Sequence, residues 1–180
     1  MTTILDLPVH PLLVHAPVVL VPMLVLFGLL YLFVPPLRRF IGWAVALLTL
    51  IAPAAVFGSV WSGERLADDL YSDGWPEAVQ SHHDHGFVLL WVLVGLIPVW
   101  WLFAGLDRGR RAAAARKGDA PAGGEEGGAP AADDPAARGR TVVMFVLGLV
   151  ALALLGLAGW TLFQAGETGA SMVWEGRIGS

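Results

Sequence analysis

The sequence predicts an all-α integral membrane protein: a four-helix bundle, antiparallel, with both termini outside the cytoplasm (N-out/C-out). Three observations carry that expectation. The first is composition. Of 180 residues, 56% are hydrophobic and only 14% charged, a balance too apolar for an ordinary soluble domain. The second is the placement of the charges. They fall between four apolar runs of roughly 20 residues, each long enough to cross about 30 Å of hydrocarbon as a helix. The runs are 12–34, 40–61, 87–106 and 141–163, and none contains Asp, Glu, Lys or Arg. The third is the basic residues. Arg38, Arg39, Arg108, Arg110, Arg111, Arg116, Lys117, Arg138 and Arg140 fall on one side of a four-span arrangement, and only Arg65 and Arg177 on the other. That asymmetry makes the first side cytoplasmic by the positive-inside rule. A bacterial cytoplasmic membrane is the expected location.

The N-terminal segment has no Lys or Arg before Leu7 and no small-residue cleavage site, so it is not expected to be a removable signal peptide. The first run is rich in proline. Pro11 suits a first helical turn, where its missing N–H costs nothing. Pro17 and Pro22 lie deeper and are expected to kink or loosen the helix. Val34 to Arg39 reads as a tight turn. In the second run, Ala54 with Gly58 and Ala55 with Ser59 offer small-residue faces for close packing, and Pro53 is expected to bend the helix.

The acidic stretch 62–80 reads as an outer loop. Pro76 reads as the first turn of the next helix, with Asp73, Gly74 or Trp75 near its cap. Residues 107–140 are rich in Ala, Gly, Pro and charge, and are expected to form a flexible cytoplasmic loop. The tail from Gly166 contains Met172-Val173-Trp174, a candidate for lying on the membrane surface. Trp61, Trp75, Trp100, Trp101, Trp160 and Trp174 are expected near the interfaces, where indoles concentrate.

The chain has no cysteine. Disulfides, thiolate metal sites, Cys-ligated iron–sulfur clusters and covalent c-type haem are therefore excluded. No nucleotide loop, Ser-His-Asp pattern or carboxylate pair is discernible. The glycine pairs at 123–124 and 127–128 follow no strand and precede no Lys-Ser or Lys-Thr. Nucleic-acid binding has no support, and independent catalytic activity is not expected.

What remains is histidine. All five stand where apolar runs begin on the outer side: His10 and His15 at the first, His82, His83 and His85 at the third. His10 and His15 are five residues apart, so they point about 140° apart on a regular helix, with His15 roughly 7.5 Å deeper. His82 and His85 share a face. An imidazole at the membrane edge needs a partner or a ligand. Four uses fit these residues. His15 with His82 or His85 can serve as axial ligands of haem b. Several histidines with Asp84 or Glu64 can bind Zn or Cu. They can form part of a quinone or proton site. Or they can cap helices and bond backbone carbonyls. The candidate cofactor-binding residues are therefore His15, His82, His85 and His10, with His15, His82 and His85 the ligands if haem iron or another metal is bound.

His10-Pro-Leu-Leu-Val-His15-Ala-Pro17 resembles the opening of the bacterial membrane family called domain of unknown function 2231. Its members begin with a His-Pro-x-x-Val-His-x-Pro-like element, have four spans and carry a His-containing entry to the third, which His82 or His85 matches. Their glycine-rich tail is similar to Gly166, Gly169, Val173, Trp174 and Gly176 here, although Ala170 stands where a second glycine is expected. Residues 107–140 look like an insertion in that pattern. Some members are joined to Rieske-type iron–sulfur domains, so the resemblance implies an association with membrane electron transfer. The leading expectation is a small electron-transfer protein holding haem b or a quinone near the outer face. A Rieske-type or cytochrome protein would be its redox partner. The alternative is a non-catalytic membrane subunit or assembly partner.

Overall fold

In a computed structural model of the chain, residues 3–4, 7–118 and 135–174 are described. Among them, Thr3–Ile4 (β1) and Leu7–Pro8 (β2) pair antiparallel, and everything else of any length is helix. Val9–Leu13 (α1) and His15–Phe33 (α2) make the first long element; a single 3₁₀ turn, Pro35–Leu37, leads to Arg38–Leu70 (α3); Glu77–Gly118 (α4) and Pro135–Trp174 (α5) follow. Four helices, Val9–Phe33, Pro35–Leu70, Glu77–Arg116 and Ala137–Trp174, are long and apolar enough to cross a membrane. The all-α four-helix bundle is thus the architecture.

The α1–α2 boundary falls at Val14. Pro17 has no N–H to give the carbonyl of Leu13, which loosens the ladder there. The backbone hydrogen bonds from Val14 to His10 and from Val18 to Val14 still carry the chain through the bend. Pro22 and Pro53, by contrast, sit inside unbroken helices.

The helices outrun the apolar runs. The segment 62–80, read as a loop, is helical through Leu70. Asp107–Gly118, read as flexible, continues α4, because Ala, Arg and Lys are strong helix formers. Met172-Val173-Trp174 completes α5 rather than leaving it. Residues 119–134, Gly176 and Arg177 lie outside the described residues. The turn between α3 and α4 uses Gly74 at φ 110°, a left-handed conformation that glycine alone adopts without cost. Trp75 donates its indole N–H back to Asp68 at 3.0 Å, and helix begins at Glu77, one residue after Pro76.

The core follows helical spacing: Val21, Leu24 and Tyr31 on α2; Val45, Leu48, Ala52 and Val56 on α3; Leu89, Leu93, Leu96 and Trp100 on α4; Ala151, Leu155 and Ala158 on α5. Trp100 is the largest fully buried side chain. It stands edge-on to Tyr31 at 5.1 Å, turned into the bundle rather than outward. The packed face of α3 is Ala52, Val56 and Ser59. Ala54 is exposed, and a Cβ on Gly58 would meet nothing within 4 Å. The α2–α5 contact depends on Gly28, where a Cβ would come within 2.8 Å of Leu155 Cδ1. Gly28→Val is expected to cost about 1–3 kcal/mol through overpacking, read as a lower midpoint of thermal unfolding in detergent. An unchanged midpoint would show that Leu155 moves aside freely.

Candidate functional site

Two histidines from different helices meet. His10 on α1 and His82 near the start of α4 have ring centroids 6.4 Å apart and planes at 86°. Each is half-buried, and each is held by the end of a further helix. His10 Nδ1 lies 2.9 Å from the carbonyl oxygen of Ser59 and 3.2 Å from Ser62 Oγ, both on α3. His82 Nδ1 lies 2.9 Å from the carbonyl oxygen of Ala165 and 3.3 Å from Thr168 Oγ1, both on α5.

A carbonyl oxygen only accepts, so both Nδ1 atoms carry the proton and donate it. The neutral ring then keeps its lone pair on Nε2. Among the described residues, neither Nε2 makes a hydrogen bond. A backbone carbonyl on the first ring nitrogen is the arrangement that orients a ligating histidine and fixes its tautomer.

Glycine brings the helices close enough for these bonds. A Cβ on Gly63 would come within 2.9 Å of His10 Cε1, and one on Gly169 within 3.0 Å of His82 Cε1. Each ring sets its Cε1 edge against a glycine of the helix.

The other three histidines are placed differently. His15 is exposed, and its Nδ1 donates to the carbonyl of Pro11 one turn back, at 2.8 Å. His85 does the same to Ser81 at 2.8 Å. Among the described residues no hydrogen bond or ring contact joins His15 to another histidine. The expected meeting of His15 with His82 or His85 is therefore replaced by that of His10 with His82. The reason is the five-residue spacing: once His10 turns toward α3, His15 is carried around to the outside.

His83 forms its own cluster. Its Nε2 is 2.9 Å from Glu64 Oε1 and its Nδ1 3.5 Å from Asp84 Oδ1. Trp75 meets its edge and Phe87 stacks on it. Glu64 and Asp84 keep much of their surface in solvent, 40% and 78% of the side chain, while each turns an oxygen to His83. Among the described residues no group of three or more His, Cys, Asp and Glu side chains is arranged to hold a metal ion. A chelate of the Zn or Cu kind with Asp84 or Glu64 has no such framework.

A second polar cluster was not anticipated. Asp107, nearly fully buried on α4, accepts from Tyr31 Oη at 3.0 Å, from Arg38 Nη1 at 2.8 Å and from Arg111 Nη2 at 3.0 Å. Arg38 also donates to the carbonyls of Tyr31 and Leu32 at the end of α2. The visible signal was a tyrosine inside an apolar run, with the first acid after the third run in helical register beneath it. Ser62, Gly63, Thr168 and Gly169 were missed too; their signal is a hydroxyl–glycine pair near the end of each second helix.

Comparison with protein-family models, with curated proteins and with solved structures gave no match.

Proposed function

We propose that this is a small multi-pass electron-transfer protein of a bacterial cytoplasmic membrane, with haem b held by His10 and His82 at the outer face. The single observation that carries the reading is the matched state of the two imidazoles: both N–H groups are spent on backbone carbonyls, and both remaining nitrogens are lone-pair donors. The donor set fits haem iron, for which neutral imidazole is a usual ligand. The two ring centroids stand 6.4 Å apart, near enough for both side chains to serve one occupant.

When bound, the haem supplies a one-electron iron couple. The chain's residues do the rest. Ser59 and Ala165 orient the two rings through their carbonyls. Gly63 and Gly169 let the helices close around them and keep water out. The nine basic residues around 38–39, 108–117 and 138–140 support an orientation with the opposite end in the cytoplasm, both termini outside and the helices antiparallel. The resemblance of the His10–Pro17 element to domain of unknown function 2231 supports membership of that family. It also supports a Rieske-type or cytochrome protein as the redox partner.

The test is an optical spectrum of the protein purified from membranes, oxidised and dithionite-reduced, with a haem extraction assay. A Soret band and a sharp α band at close to one haem per chain is the expected result. A folded, colourless protein that takes up no added hemin overturns the reading and leaves a non-catalytic membrane subunit.

A further inference from the structure

The two histidine cradles can be superposed in words, residue by residue. On α3, the carbonyl of Ser59 takes the imidazole proton; Ser62, three residues on, sends its hydroxyl hydrogen to that carbonyl at 3.0 Å and turns its oxygen to the ring; Gly63, four residues on, lies against the ring. On α5, the carbonyl of Ala165 takes the proton; Thr168, three residues on, shares its hydroxyl hydrogen between that carbonyl at 3.2 Å and the carbonyl of Gln164 at 2.9 Å and turns its oxygen to the ring; Gly169, four residues on, lies against the ring. The offsets agree, and the paired distances agree within 0.2 Å. In each case the imidazole comes from the beginning of the preceding helix.

We infer that the protein is built from two copies of one two-helix unit, α1–α3 and α4–α5, in which Ser62-Gly63 and Thr168-Gly169 are equivalent positioning residues. The two units present two like lone pairs to one shared occupant, an electron-pair acceptor with two equivalent coordination positions. This rests on the haem reading only for the identity of the metal.

The neutral pair suits a quinol, whose O–H can donate to Nε2, but not an oxidised quinone. A quinone carbonyl is itself an acceptor and needs an N–H, and both N–H groups are already committed. Each hydroxyl reinforces the choice, because its own hydrogen is used on the carbonyl and it too can only accept from the ring. Reversing either tautomer would leave Nδ1 lone pairs facing a carbonyl and a hydroxyl oxygen, which is repulsive.

The experiment is a matched variant set: Ser62→Ala with Thr168→Ala, and Gly63→Ala with Gly169→Ala. It has two readouts. The first is long-range ¹⁵N–¹H imidazole spectra of the full-length protein in micelles without added cofactor. His10 and His82 are both expected as Nδ1–H tautomers, with Gly63→Ala perturbing mainly His10 and Gly169→Ala mainly His82. The second is titration with hemin and, separately, with a short-chain ubiquinone. Each member of a pair is expected to weaken hemin binding to a similar degree, by about 10-fold or more, as loss of an orienting partner usually does; the ubiquinone is expected not to compete.

Different tautomers at the two histidines, or one member of a pair neutral while the other abolishes binding, overturns the repeat. Competition by the ubiquinone overturns the lone-pair assignment. If hemin does not bind, the haem reading fails, and the tautomer spectra still decide the repeat.

Discussion

Asp107→Ala is expected to destabilise the bundle by about 3–5 kcal/mol, the range for removing one partner of a buried charged pair. The carboxylate side chain is 6% exposed and that of Arg38 18%, so solvent replaces little of what is lost. The carboxylate ties three segments together: the end of α2 through Tyr31, the start of α3 through Arg38 and α4 itself. Arg38 spends its other donors on the last carbonyls of α2, which have no partner within their own helix. Removing Asp107 leaves the Arg38 guanidinium half-satisfied and the Tyr31 hydroxyl hydrogen without its acceptor, with only Arg111 Nη2 still donating to the oxygen at 3.4 Å; the Tyr31 ring is buried against Trp100. Asp107→Asn keeps a hydrogen-bond acceptor and loses the charge, so its cost is expected to be smaller. Arg111→Ala is expected to cost no more than about 1 kcal/mol, because that side chain is 41% exposed. Thermal unfolding in detergent, followed by tryptophan emission, orders the three variants. An Asp107→Ala protein as stable as the parent would mean that the cluster is incidental to the fold.

This cluster shows where sequence reasoning stops. The four spans were legible because membrane hydrocarbon imposes a length and an apolarity that few other settings demand. Helix ends were less so. Nothing in hydropathy says that Arg110 to Lys117 continues a helix, yet the propensities of alanine and arginine carry it to Gly118. Trp100 reads as an interface tryptophan by position and proves to be the centre of the core, since depth along a helix says nothing about which side faces inward. The histidines stand out in the sequence as the chemistry of the chain, but depth in the apolar run favours His15, whereas the structure brings His10 to His82. The five-residue spacing already implied that only one of the two could face the bundle. What selects His10 is the carbonyl of Ser59 and the bare helix at Gly63, some fifty positions away in sequence. A pairing between segments so distant is fixed by packing, and a single sequence records it only as an inconspicuous Ser-Gly.

His10→Ala and His82→Ala are each expected to lower hemin affinity by at least about 100-fold, the upper end of what losing a mere orienting partner costs. His15→Ala and His85→Ala are expected to leave the spectrum as it was. Both of those rings bond the carbonyl one turn back on their own helix, and neither meets His10 in a ring contact. The contrast matters because all five imidazoles stand at one end of the bundle, and a loosely held metal would respond to the loss of any of them. Acid supplies an independent check. A protonated imidazole has no lone pair to give, so metal binding by neutral histidine requires deprotonation. Lowering the pH far enough to protonate the imidazoles should release the ligand, and binding should return as the pH rises. Two histidines acting together make that dependence steeper than a single titration, whereas a site served by one imidazole loses at most one proton's worth of binding per pH interval. Measured by the Soret band against pH, a shallow curve, or a His10→Ala protein with an unaltered band, would remove His10 from the site and with it the proposal that two helices share one cofactor.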